Sequence, residues 1–221
     1  MSLPVHLVAS LDGFAVGSGV EVTGDEAHHA VAVRRLRVGE EVVLTDGAGR
    51  RVVGSVASTG KRVFTVTVTS AESVERPTPS FTVVQALPKG DRGELAVELA
   101  TEAGVDAVLP WRAARCVARW DAGPRGEKAL ARWRTTAREA AKQARRAWVP
   151  VIEEPMTAAA LARRVAQARV ALVLHESAAD GLASLDLPAD GDLLLVVGPE
   201  GGIADDAVSY THLTLPTILL V

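Results

Sequence analysis

The sequence predicts an α/β protein in two parts, a small β-barrel followed by a larger domain built on a parallel sheet. Three observations carry this expectation. Residues 5–70 hold short, β-branched segments separated by frequent turns. The stretch Glu75-Arg76-Pro77-Thr78-Pro79 then places two prolines where neither a helix nor a central strand survives them. Beyond it strands alternate with helical patterns, which predicts a parallel sheet with right-handed crossovers. The expected boundaries are 1–74 for the barrel, 75–80 for the linker and 81–206 for the second domain.

In the first part, Val20-Glu21-Val22, Glu41 to Leu44, Arg51 to Val56 and Val63 to Val68 read as strands. Asp46-Gly47-Ala48-Gly49 sits between two of them as a hairpin signal. Strands this short, with turns this frequent, suggest a small barrel. One short helix interrupts them, starting near Thr23-Gly24-Asp25-Glu26 and carrying His28, His29 and Ala30 to Val33. Arg34, Arg35 and Arg37 cluster just after it, and a small basic barrel ahead of a larger domain suits the positioning of RNA.

In the second part, Phe81 to Leu87 is a strand and Pro88-Lys89-Gly90-Asp91 turns, with Asp91 as N-cap, into a helix. Leu95, Leu99 and Ala103 form its expected buried stripe, and Gly104 is its stop. Val105 to Leu109 is the next strand, ending at Pro110. A long helix follows from about Glu127 to Ala147. Leu130, Trp133, Ala137, Ala140, Ala141 and Ala144 make its apolar stripe, and its arginines lie largely elsewhere. Thr157 caps a helix to about Ala168, and Val170 to Leu174 and Leu193 to Val197 complete the strands.

The 221 residues suffice for two small domains. Cys116 is the only cysteine, so neither a disulfide framework nor a cysteine-based metal cluster is expected, and a reducing cytoplasm fits. The histidines show no metal-ligand spacing, so no metal is expected. No signal peptide is read at the start, and no apolar run reaches membrane-spanning length. The net charge of −3 hides an asymmetry: Trp111 to Trp148 carries eleven Lys and Arg against three Asp and Glu, a local +8 against −11 for the remainder. Such concentration suggests a polyanion-binding face, and a solvated arginine-rich helix surface is the competing account.

Leu193-Leu194-Leu195-Val196-Val197 reads as a strand buried on both faces, and it stops abruptly in Gly198-Pro199-Glu200-Gly201-Gly202. Pro199 holds Gly198 extended, and the two following glycines admit conformations closed to other residues. A loop of this kind lets backbone approach a ligand at the carboxyl end of a strand, or simply closes a core strand tightly. No Gly-x-Gly-x-x-Gly follows the first strand of the second domain, which argues against a Rossmann-type nucleotide enzyme.

Several short motifs fall in register with one family. Pro88-Lys89-Gly90-Asp91-Arg92, Thr101 to Val105, Arg115 before Trp120, Glu139-Ala140 with Gln143, Arg145-Arg146 and Pro150, and the Gly198–Gly202 loop resemble the RsmE-type ribosomal RNA methyltransferases of the knotted SPOUT class. Glu26-Ala27-His28-His29, Arg34 to Glu40 and Asp46 to Gly49 resemble that family's PUA-like barrel. The resemblance covers roughly residues 5–206. It implies methyl transfer from S-adenosylmethionine to N3 of a uridine in small-subunit ribosomal RNA, in a cytoplasmic homodimer. By resemblance the cofactor sits at the knot, against Leu174, His175 and Glu176 and against Gly198, Pro199, Gly201 and Gly202. No nucleophilic side chain is then needed, because the base attacks the methyl carbon. A uridine N3 proton must leave, so a base or a cation has to favour the uridine anion. Arg115 is the candidate for that electrostatic role and Glu200 for proton acceptor, with capping of a turn the competing role for Glu200. His28, His29, Arg34, Arg35, Arg37, Lys89, Arg92, Arg145 and Arg146 are the candidate RNA contacts.

After about Asp206 the chain departs from the family pattern. Residues 207–221 include Pro216, offer no matching arginine and read as a tail foreign to the family. The trefoil knot and the third cofactor loop are therefore expected to be incomplete, and an RNA-binding module without catalysis is the alternative reading.

Overall fold

The computed structural model describes residues 3–174 and 185–203. The chain packs as two compact units, Met1–Arg76 with Ala141–Val149, and Pro77–Ala140 with the residues from Pro150 onward.

The first unit is a coiled, barrel-like sheet in the order β1-β3-β4-β5-β2. Its strands are β1 (Val5–Leu7), β2 (Gly19–Thr23), β3 (Glu41–Thr45), β4 (Arg50–Thr59) and β5 (Val63–Ser73). β1 is parallel to β3 and every other pairing is antiparallel. Period-two alternation turns Val20, Val22, Val52, Val56, Phe64, Val66 and Val68 inward, each side chain contributing about 1.5–3 kcal/mol. Register shifts between Val53 and Gly54 and between Val56 and Ser58 bend the long β4–β5 ribbon as bulges do. The expected helix is present as α1 (Gly24–His28), continued by a π-helical turn over His29–Val33. Strand β1, three residues long, is too short to show in the sequence pattern.

The segment 141–149 joins this unit, which the sequence boundaries did not anticipate. The Asp46 to Gly49 turn does form the β3–β4 hairpin, with Asp46 Oδ1 accepting from the N–H groups of Ala48 and Arg50 at 2.8 and 3.1 Å. Its glycines have a further reason. A Cβ on Gly47 would lie 2.6 Å from the Val149 side chain, and one on Gly49 would lie 2.4 Å from the Trp148 ring. The N–H of Gly49 donates to Ala147 and that of Val149 to Gly47, both at 2.9 Å, while Trp148 Nε1 donates to Val74 at 2.9 Å.

The second unit is a parallel sheet in the order β10-β11-β6-β7-β8. Its strands are β6 (Ser80–Ala86), β7 (Ala107–Arg112), β8 (Val151–Ile152), β10 (Val170–Leu174) and β11 (Asp192–Val197), with the two-residue β9 (Met156–Thr157) on β7. The helices are α2 (Arg92–Ala103), α3 (Pro124–Gln143) and α4 (Ala158–Gln167). Thr157 caps α4 by accepting from the Ala160 N–H at 3.3 Å. No helix among the described residues is long and apolar enough to cross a membrane.

Three expectations are corrected here. Strand β7 runs through Pro110 rather than ending at it. The Val108 carbonyl accepts from the N–H of Glu153, just after β8, and that of Trp111 from Leu87, so alternation points the Pro110 nitrogen to the β8/β9 side. β8 pairs only with Ala107 and Val108 and β9 only with Trp111 and Arg112, so the missing N–H falls in the gap and costs no ladder bond. Helix α2 buries Gly93, Val97 and Thr101, while Leu95 and Leu99 stay 53% and 56% exposed. Size decides this, because Gly93 lies so close to Trp133 that a Cβ would sit 2.6 Å from the indole. Asp91 occupies the N-cap position without a side-chain capping bond. Helix α3 starts at Pro124, where a proline suits the first turn, and stops at Gln143, leaving Ala144 exposed beyond its end.

Candidate functional site

Neighbouring strands β6 and β11 lie where the strand order reverses: the chain leaves β6 toward β7 on one side and reaches β11 from β10 on the other. Open parallel sheets bind ligands outside the carboxyl ends of strands at such a switch point. Register places Leu174 beside Val197, Val197 beside Gln85 and Ala86 beside Trp111, so the loops after these strands leave from one edge.

The loop after β11 is clamped from two directions. The carboxylate of Glu200 accepts from the Lys89 backbone N–H at 3.2 Å and from the Arg92 guanidinium at 3.3 Å, which ties it to the turn after β6. On the other side Arg115, in the segment after β7, donates to the Gly201 carbonyl at 3.3 Å. A Cβ on Gly201 would come within 3.3 Å of the Arg115 Cβ and 3.4 Å of its carbonyl oxygen, so Arg115 is packed closely against this glycine and a larger side chain would have to displace it. Only Gly202, at φ +74°, uses the left-handed region, closing a turn by donating to the Pro199 carbonyl at 2.9 Å. Gly198 has ordinary backbone, and its missing Cβ makes room for Ile203, 2.5 Å from where that atom would stand.

The Glu200 carboxyl is held below the usual value, chiefly by its own backbone N–H, then by that of Lys89, with the Arg92 charge adding to both. It is a poor proton acceptor and a firm anion. Cys116, next to Arg115, is pushed the other way by burial, so its thiol stays protonated and offers no nucleophile at neutral pH. Among the described residues no group of His, Cys, Asp and Glu could hold a metal ion. Leu174 ends its strand half-buried at this edge, and His175 and Glu176 lie outside the described residues. The residues on which the expected trefoil knot and third cofactor loop depend, and the tail 207–221, lie outside them too.

Of the RNA candidates, Lys89 and Arg92 flank the clamp just described, and the others belong to the first unit. His28, His29, Arg34, Arg35 and Arg37 are exposed on and after α1. Arg35 takes φ +57° where the Leu36 N–H reaches back to the Ala30 carbonyl, and Arg145 takes φ +55° at the end of α3. There the N–H groups of Arg145 and Arg146 donate to Lys142 and Ala141, a Schellman stop with arginine in the place of glycine. The rest of the basic segment is partly structural, since Arg132 pairs with Glu94 at 3.3 Å and Arg134 with Glu154 at 2.8 Å.

Sequence reasoning missed one charged cluster. Glu26 accepts from His6 Nδ1 and from Lys142 Nζ, both at 3.0 Å, with all three side chains largely buried. Burial alone would raise the Glu26 carboxyl, but the His6 and Lys142 hydrogen bonds outweigh it and hold it below the usual value. Residues twenty and more than a hundred positions apart give no local signal of this.

The RNA methyltransferase domain family matches residues 74–214, and the RNA methyltransferase PUA domain family matches residues 22–69. The chain is 48% identical over 197 residues to ribosomal RNA small subunit methyltransferase E of Mycobacterium bovis, covering 87% of this chain and 75% of that one. The chain belongs to the RNA methyltransferase family that includes this enzyme. The Bacillus subtilis protein of the same name is 31% identical over 196 residues, covering 85% of this chain and 76% of that one. The fold is shared with a Neisseria gonorrhoeae ribosomal RNA small subunit methyltransferase E solved with S-adenosyl methionine, at TM-score 0.86 and 23% identity over 100% of this chain and 90% of that one. A PUA-like barrel followed by a SPOUT-type α/β domain is thus the architecture of this family member.

Proposed function

We propose that this chain transfers the methyl group of S-adenosylmethionine to N3 of a uridine in small-subunit ribosomal RNA. The observation that carries the reading is the clamped loop at the switch point, where Gly201 packs on Arg115 and Glu200 ties the loop to Lys89 and Arg92. Leu174, His175, Glu176, Gly198, Pro199, Gly201 and Gly202 are the residues assigned to the cofactor. When bound there, the cofactor would supply an electrophilic methyl group for N3, which has to lose its proton. Arg115, oriented by the Gly201 carbonyl, keeps a permanent cation beside this loop and favours the uridine anion. Glu200, with its lowered pKa, serves to position the loop, and the proton leaves to solvent.

His28, His29, Arg34, Arg35, Arg37, Arg145 and Arg146 are assigned to RNA phosphates, with Lys89 and Arg92 nearer the reacting base. The exposed Leu95 and Leu99 on α2 favour a second copy of the chain as partner. The deciding assay uses labelled cofactor and small-subunit ribosomal RNA, with nucleoside analysis of the product. 3-Methyluridine is expected. Label on another atom would refute the N3 assignment, and RNA binding without transfer would leave the chain an RNA-binding module.

A further inference from the structure

The loop that anchors Glu200 has a second side. Pro88 and Gly90 also line a cavity of about 550 Å³, closed by the segment 117–125 and the start of α3. That volume is in the range of small-molecule and nucleotide sites. Its floor is apolar and rigid: Trp133 is buried, with Gly93 packed against its indole. Trp120 stands edge-to-face on Trp133, ring centres 4.8 Å apart at 75°, and remains half-buried, so part of its indole is open to the cavity. Arg119 and Arg125 are exposed on the rim. Glu94 also lines it, with one carboxylate oxygen engaged by Arg132 at 3.3 Å. None of the residues assigned to the cofactor is among the lining.

We infer that this cavity takes an unpaired nucleotide of the RNA substrate, its base against Trp120 and its phosphates on Arg119 and Arg125. An open indole with cations at its rim is what single-stranded RNA recognition uses, since every base offers a face for stacking and every residue of the strand a phosphate. Glu94 faces the cavity as a fixed acceptor that a base N–H can meet. The cavity is lined by Pro88 and Gly90, which flank the Lys89 that holds Glu200, so a nucleotide here is seated next to the one presented for methylation. The inference rests on the proposal that the chain acts on RNA, and goes beyond it by naming where a second nucleotide sits.

The test titrates the whole chain with a single-stranded RNA hexamer of mixed sequence, following tryptophan fluorescence, and separately with S-adenosylmethionine by calorimetry. Trp120→Ala is expected to weaken RNA binding about tenfold, while Trp120→Phe restores most of it. The double change Arg119→Ala with Arg125→Ala, at exposed positions that spare the fold, is expected to lower the log–log salt slope by about two. RNA binding unaltered by all these changes would overturn the inference and leave the proposed function standing. Failure of the native chain to bind any RNA would overturn both. Quenching of Trp120 by the cofactor, in competition with RNA, would assign the cavity to the cofactor and overturn the inference too.

Discussion

Helices α2 and α3 end in the same way and with opposite residues. At the end of α2 the left-handed position is Gly104, φ +101°, with its N–H turned back to Ala100 and Thr101. At the end of α3 it is Arg145, φ +55°. A Cβ at Gly104 would meet nothing within 4 Å, so the glycine there serves backbone conformation alone. At Arg145 a side chain is kept where glycine would cost less, and Arg35 repeats the choice after α1. Strain accepted twice for the same side chain, both times on the first unit, is the pattern expected where an outward-facing guanidinium is wanted.

The sharpest way to break the contrast is at the clamped loop, where neighbouring atoms press closely on the glycine. Gly201→Val should push the loop off Arg115 and lower methyl transfer about a hundredfold or more, read as loss of cofactor binding by calorimetry with the circular dichroism spectrum unchanged. Unaltered affinity would reduce this glycine to a structural role.

Next in size is the buried charge cluster that fastens α3's end to the first unit. Glu26→Gln should cost about 2 kcal/mol at neutral pH, measured by denaturant unfolding. The folded carboxyl titrates below its usual value, so its stabilisation is full above the ordinary glutamate range and fades as pH falls through the lowered one. Native and variant stabilities should therefore converge in acid. A gap that persists there would point to packing instead of charge.

The helix ends themselves give the smaller effects. Gly104→Arg should destabilise by about 1 kcal/mol through backbone conformation alone. Arg145→Gly should do the reverse by about 0.5 kcal/mol while lowering the salt slope of RNA binding by about one. An Arg145→Gly variant with an unchanged slope would mean that the arginine is merely tolerated.

The architecture was legible in the sequence because its signals are local. Alternating β-branched residues, the paired prolines and the apolar run at Leu193–Val197 each act within a few residues. The glycine loop was legible as a place, though not in its reasons, since Gly198 and Gly201 answer to Ile203 and Arg115 rather than to their own torsions. The α2 stripe was misread because leucine's hydrophobicity suggests burial, while the contact with Trp133 requires the smallest residue on the helix. Glu26, His6 and Lys142 were invisible as a group, since only folding brings them together.

The return of residues 141–149 to the first unit means that the chain crosses between the units three times. A gene cut at the prolines would therefore not release an exchangeable cassette. It would carry away His6, Glu26 and the glycines of the β3–β4 turn, and leave Lys142, Trp148 and Val149 behind on the other piece. Neither piece would be whole, so the barrel and the catalytic sheet are expected to be inherited and exchanged as one.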